Sequence, residues 1–165
     1  MHLRDIKGFW DRRASEDSPE QPSYLLDKYE SGTMNLPGII GLHAALTYLE
    51  EETIEKLYQK KMELTEYFLQ EIQRFPWIRV IGEQEIENRV SVVSLNFQGM
   101  DNSMAAFELE QKYQIMTRVG LHCAPKAHET LGTFLQDTVR FAFSAANRKE
   151  EIDVCIRAFE EMNDL

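Results

Sequence analysis

The spacing of the apolar residues changes partway along the chain, and that change limits what it can fold into. Up to Phe75 they recur every three to four positions, which keeps one helical face dry. After Pro76 they come in short β-branched runs with partial alternation, as strands require. Ile39, Leu42, Ala45, Leu46 and Leu49 predict a helix over 37–50. Asn35 serves as its cap, and Pro37 sits in the first turn, where a missing N–H costs nothing. Ile54, Leu57, Tyr58, Leu64, Tyr67, Phe68, Ile72 and Phe75 predict a second helix from Thr53 to about 74, stopped by Pro76.

Beyond Pro76, Trp77–Ile81 reads as a short strand ended by Gly82, and Arg89–Phe97 as the best strand of the chain. Asp101 or Ser103 caps a helix carrying Met104, Phe107, Leu109 and Tyr113. Gln114–Arg118 and Thr138–Ser144 are the third and fourth strands. Asn147, with Glu150 three residues on, reads as a capping box for a last helix whose stripe is Ile152, Cys155, Ile156 and Phe159. The order helix, helix, strand, strand, helix, strand, strand, helix predicts an α+β fold, a small α/β sandwich of two layers. Residues 1–29 hold the polar run Arg12–Ser23, broken by Pro19 and Pro22, and read as an irregular linker or arm ahead of one domain over 30–165.

A net charge of -10 argues against a nucleic-acid footprint, which is basic. No apolar run approaches the roughly 20 residues that span a bilayer, so no membrane association is expected. Residues 1–15 contain no apolar core of a secretory signal. Two cysteines make no disulfide framework, and a reducing, cytoplasmic setting follows as the expectation.

One of those cysteines stands in the most chemically dense segment, Arg118-Val119-Gly120-Leu121-His122-Cys123-Ala124-Pro125. Nearby positive charge favours the thiolate, the form that reacts. The residues alone leave two readings of Cys123, a nucleophile and a small buried cysteine in a turn. His122 is placed to tune the thiol or shuttle protons. His128 reads as a loop histidine, His43 as a structural one, and Cys155 as core. His122, Cys123 and His128 provide one thiolate and no cysteine pair, so no metal site is expected. Arg140 interrupts an apolar strand, where an idle charge would be costly. Alternation sends it to the face opposite Val139, Phe141 and Phe143, towards the cleft of Cys123. An arginine fork there suits a carboxylate. Arg118 reads either as a second such arginine or as a solvated strand end.

Three segments in order resemble class V aminotransferases, the pyridoxal-phosphate (PLP) enzymes that include the cysteine desulfurases. Glu30-Ser31-Gly32-Thr33-Met34-Asn35-Leu36-Pro37-Gly38-Ile39-Ile40-Gly41-Leu42 resembles the family's E-x-G-T-x-N-x-x-G-I-x-G-L stretch. Arg118–Ala124 resembles the desulfurase segment that holds the persulfide-forming cysteine. Val139–Asn147, followed by Glu150–Asp153, resembles the closing R-x-S-x-x-x-N-t-x-E-E-I-D element. The resemblance implies the C-terminal small domain of PLP fold type I, with a small, mostly antiparallel sheet packed against helices. It implies Cys123 and His122 as catalytic residues, Arg118 and Arg140 as substrate-binding, and Thr33, Gly32 and Asn35 as cofactor-binding, with Thr33 reaching the PLP phosphate of a neighbouring subunit. It implies an amino-acid substrate, a homodimer as the intact enzyme and a sulfur-acceptor protein as partner. The same resemblance puts the Schiff-base lysine upstream of Gly32-Thr33. Only Lys7 and Lys28 precede that point, neither in the family's context. The expectation is therefore a fragment of a cysteine desulfurase-like enzyme, inactive alone and holding no covalent PLP. The alternatives are a catalytically dead binding or dimerisation module and another class V enzyme.

Overall fold

The structure, a computed structural model, describes residues 34–162. The arm expected over 1–29 lies outside them. The chain divides into two compact units, Met1–Glu51 and Glu52–Leu165.

Helix α1, Leu36–Glu52, lies in the first unit except for its last residue. Asn35 caps it as expected: the Gly38 N–H donates to Asn35 Oδ1 at 3.1 Å. The apolar stripe anticipated for this helix is not buried among the described residues, and Ile39, Leu42 and Leu46 are all exposed.

The second unit starts with α2, Ile54–Ile72, whose Lys56 N–H donates to the Thr53 side chain. Its first turns leave Ile54 and Tyr58 exposed, and its later turns bury Leu64, Phe68, Leu69 and Ile72. Strands β1 (Ile78–Ile81) and β2 (Val92–Phe97) follow, separated by a 3-10 turn at Ile86–Asn88 that sequence spacing missed. Helix α3 spans Asn102–Tyr113, capped by Asp101 Oδ1, which accepts from the N–H groups of Ser103 and Met104. It buries Ala105 and Leu109. Met104 and Phe107, expected on its inner face, are exposed.

The third strand is displaced from its expected position. Gln114 adopts a left-handed conformation at the end of α3, with its N–H on Glu110 O, so Gln114–Thr117 is consumed by the helix stop and β3 is Arg118–Gly120. A short helix, α4, Pro125–Leu131, then occupies a segment read as loop. It begins with proline in its first turn and ends at left-handed Gly132, the usual asymmetry of helix ends. Strand β4 is Thr138–Ala142 and helix α5 is Lys149–Met162.

The capping box of α5 is shifted by one residue from its expected position. Glu151, not Glu150, reaches back, accepting from the Arg148 N–H and the Asn147 amide at 3.0 Å each. The Asn147 amide, then the Arg148 N–H, hold the Glu151 carboxyl below its usual range. Asn147 itself spends its Oδ1 on the Ser144 N–H and hydroxyl rather than on the helix.

All strand pairs are antiparallel, in the order β1-β2-β4-β3. Helices α2, α3 and α5 pack on one face. Phe159 is fully buried at the centre, with ring centroids about 6 Å from those of Phe68, Phe75, Phe97 and Phe141. Ile152, Cys155 and Ile156 extend the stripe as expected. The other face of the sheet receives the alternate residues, among them Arg79, Ser94, Asn96, Arg118, Thr138 and Arg140.

Candidate active site

Strand register assembles the site. Arg140 lies directly opposite Ser94 on β2 and Arg118 on β3. Val139 and Phe141 turn into the core, with Phe143 packed beside them, which leaves Thr138 and Arg140 on the other face as the alternation predicted. Opposed side chains of an antiparallel pair stand about 5 Å apart at Cβ, and like charges so placed repel. The ion pairs among the described residues involve neither Arg118 nor Arg140. Arg140 is half-buried and Arg118 exposed. An anion with two oxygens would relieve the repulsion.

The neighbouring loop is strained. The Ala124 N–H donates to Leu121 O at 2.8 Å, closing a turn whose central residues are His122 (φ 50°) and Cys123 (φ 60°). Positive φ at both centres is the type I′ signature, usually filled by Gly or Asn. For other residues each such conformation costs about 1–2 kcal/mol. Cys123 stands exposed at the tip. His122 Nε2 hydrogen-bonds with the Thr138 hydroxyl at 3.2 Å, and its Nδ1 is buried without a partner among the described residues. Burial pushes His122 below its usual range. The Arg140 guanidinium adds to this, with His128 and Arg118 contributing less, while a hydrogen bond with the Thr138 backbone acts the other way.

His128 is not the loop histidine expected. It lies on α4, buried, and hydrogen-bonds with the Thr133 hydroxyl at 2.8 Å, its ring 6.0 Å from that of His122. The signal for this was present in Pro125 and Gly132, which bracket a one-helix segment. His43 is exposed on α1, within 3.2 Å of the Thr47 hydroxyl. Gly32 and Thr33 lie outside the described residues, and the Asn35 side-chain oxygen is engaged in its cap. A cleft of about 670 Å³, lined in part by Arg79, Asn96 and Asn102, includes neither Cys123 nor the opposed arginines. Asn102, on its wall, is satisfied: its Oδ1 accepts from the Phe97 N–H, and its Nδ2 donates to Gln136 O at 2.8 Å. No group of three metal-ligating side chains converges among the described residues.

The two thiols differ sharply in environment. Cys155 is buried in α5, and burial pushes its thiol well up. Alkylation of the folded chain should therefore label Cys123 first, with Cys155 following only on unfolding. Time-resolved labelling with peptide mapping checks this, and equal rates would contradict it.

Cysteine desulfurases of known structure share this arrangement of sheet and helices. The apo cysteine desulfurase of Thermococcus onnurineus NA1 matches 92% of this chain with a TM-score of 0.77 and 27% identity, over 37% of its own length. The S-sulfonic acid form of the cysteine desulfurase CsdA from Escherichia coli matches 92% with a TM-score of 0.73 and 26% identity, over 36% of its length. The fold is that of the small domain of PLP fold type I enzymes. The chain belongs to the class-V aminotransferase family, whose model matches residues 17–155. A probable cysteine desulfurase of Pyrococcus abyssi is 32% identical over 139 residues, 82% of this chain and 33% of that relative. The chain spans between 18% and 36% of the length of the first curated relatives it matches.

Enzymes of this family use PLP. The described residues fit the substrate side of that chemistry. The opposed arginines match an amino-acid carboxylate, and Cys123 is an accessible soft nucleophile. The paired strand residues beside Arg140 include no lysine to hold the cofactor covalently.

Proposed function

We propose that this chain supplies the substrate-carboxylate site and the sulfur-accepting thiol of a PLP-dependent cysteine desulfurase, which converts L-cysteine into L-alanine and an enzyme-bound persulfide. The observation that carries this reading is the opposed Arg118–Arg140 pair, on the same sheet face as Thr138, which anchors the Cys123 turn. Arg140, rigid in mid-strand, grips the α-carboxylate with its planar fork, and Arg118 adds charge from the sheet edge. Gripping one end of a small substrate fixes where its side-chain sulfur lies relative to Cys123. When bound, PLP supplies the electron sink that lets the substrate's carbon–sulfur bond break.

The Cys123 thiolate attacks the substrate sulfur, and a sulfur–sulfur bond forms as the carbon–sulfur bond breaks. The bonding pair stays with carbon, which is protonated to the methyl of alanine. His122, the neighbour of the thiol in the turn, accepts the Cys123 proton beforehand and returns it to the carbon. The covalent lysine comes from residues outside this sequence, so the chain alone turns over no cysteine and holds no covalent PLP. Thr33, Gly32 and Asn35 are the contacts proposed for the cofactor phosphate in a homodimer. The persulfide passes to an acceptor protein in the cytoplasm. No helix among the described residues is long and apolar enough to cross a membrane.

A hybrid tests the reading. This chain replaces the corresponding C-terminal segment of a related cysteine desulfurase, and alanine formation from L-cysteine is measured. Turnover that depends on the inserted chain is expected. A soluble, PLP-loaded hybrid without desulfurase activity would contradict the proposal.

A further inference from the structure

The mirror-image turn at His122-Cys123 is held by contacts at two places. One is its own backbone bond from the Ala124 N–H to Leu121 O. The other comes from strand β4, where the Thr138 hydroxyl meets His122 Nε2. Thr138 is almost fully buried, so its hydroxyl does not swing between partners. It lies two residues from Arg140 on one strand, hence on the same face, and opposite Gly120 on β3. Arg118, opposite Arg140, stands two residues before Gly120 on β3, the strand that leads into the turn. A single rigid strand thus carries both the proposed carboxylate grip and the anchor of the residue next to the thiol.

We propose that Thr138 is a positioning residue for Cys123. Its hydroxyl, acting through His122, holds the left-handed turn so that the thiol is presented beside the Arg118–Arg140 pair. This rests on the reading of Cys123 as the sulfur-accepting thiol, and it adds how that thiol is held in register with the carboxylate site. A backbone conformation costly for histidine and cysteine persists only where its surroundings impose it. The Thr138–His122 bond is the side-chain tie that does so here. Without it the turn relaxes, and the thiol loses its fixed relation to the two guanidinium groups.

The test compares two alkylating agents on the full chain, anionic iodoacetate and neutral iodoacetamide, with Cys123 and Cys155 followed separately by peptide mapping. A thiol held beside two arginines attracts the anion. The iodoacetate-to-iodoacetamide rate ratio at Cys123 should exceed that of a free peptide spanning residues 118–124 by about fivefold or more at low salt, and decline as salt is added. Thr138→Val should bring the ratio down to the peptide value, while Thr138→Ser, which keeps the hydroxyl, restores it. His122→Ala should lose the preference equally, and adding Thr138→Val to it should cause no further loss. Protection of Cys155 reports folding in each sample. If Thr138→Val fails to fold, His122→Ala decides alone.

A wild-type ratio equal to that of the peptide would overturn the proposal. So would a folded Thr138→Val or His122→Ala chain that keeps the wild-type ratio. These rates do not depend on sulfur transfer. The reading of Cys123 as sulfur acceptor fails separately, if no sulfur reaches Cys123 in the hybrid.

Discussion

In the hybrid enzyme, Arg140→Ala raises KM for L-cysteine about tenfold to a hundredfold, the effect of losing charge-assisted hydrogen bonds of about 1.5–3 kcal/mol. The reason is geometric. Arg140 is half-buried in mid-strand, fixed by pairing on both sides to Ser94 and Arg118. Little side-chain freedom is lost when it closes on a carboxylate. Arg140→Lys keeps the charge but not the fork and should fall between wild type and alanine. Arg118→Ala should cost less, because Arg118 is exposed on an edge strand. Steady-state kinetics over a range of cysteine concentrations check all three. An unchanged KM in Arg140→Ala would remove the carboxylate grip from the account.

The largest expected loss of stability lies on the other side of the sheet. Phe159→Ala should destabilise the fold by about 3–5 kcal/mol, the usual cost of emptying a buried aromatic site. Phe159 is fully buried, and four phenylalanine rings from α2, β2, β4 and the turn before β1 surround it. No single neighbour can move in to fill the cavity. Against a total stability of about 5–15 kcal/mol typical of such domains, this removes a large share. Phe107→Ala is the control. Phe107 is 54% exposed on α3, and its loss should stay within about 0.5 kcal/mol. Urea unfolding of the two variants measures the contrast, and similar midpoints would contradict this view of the core.

The strong periodic segments were legible in the sequence because burial enforces them. Helix α5 shows this best, with Ile152, Cys155, Ile156 and Phe159 all inside. The alternation around Arg140 was equally plain, since a charge between Val139 and Phe141 can only take the other face. Backbone events that leave no hydrophobic pattern were harder to read. Gln114 ends α3 in a left-handed conformation usually left to glycine, which moved β3 past the apolar residues Ile115 and Met116. Helix α4 has seven residues and one buried side chain, too short for a period to emerge, although Pro125 and Gly132 marked its ends. The α5 box slipped because Asn147 serves Ser144 instead of the helix. At the site, residue types pointed to Cys123, His122, Arg118 and Arg140. Thr138, whose hydroxyl meets His122, is a buried threonine with no sequence signature, and the strain at His122-Cys123 is visible only in φ.

Whether Cys123 takes the sulfur is read most directly from the mass of the peptide that carries it. After one round of reaction with L-cysteine, the hybrid should yield a Cys123 peptide heavier by one sulfur atom, reversible by reductant. The Cys155 peptide should be unmodified, and Cys123→Ser should abolish both the adduct and alanine formation. Undiminished alanine formation by Cys123→Ser, with no sulfur on any peptide of this chain, would contradict the account.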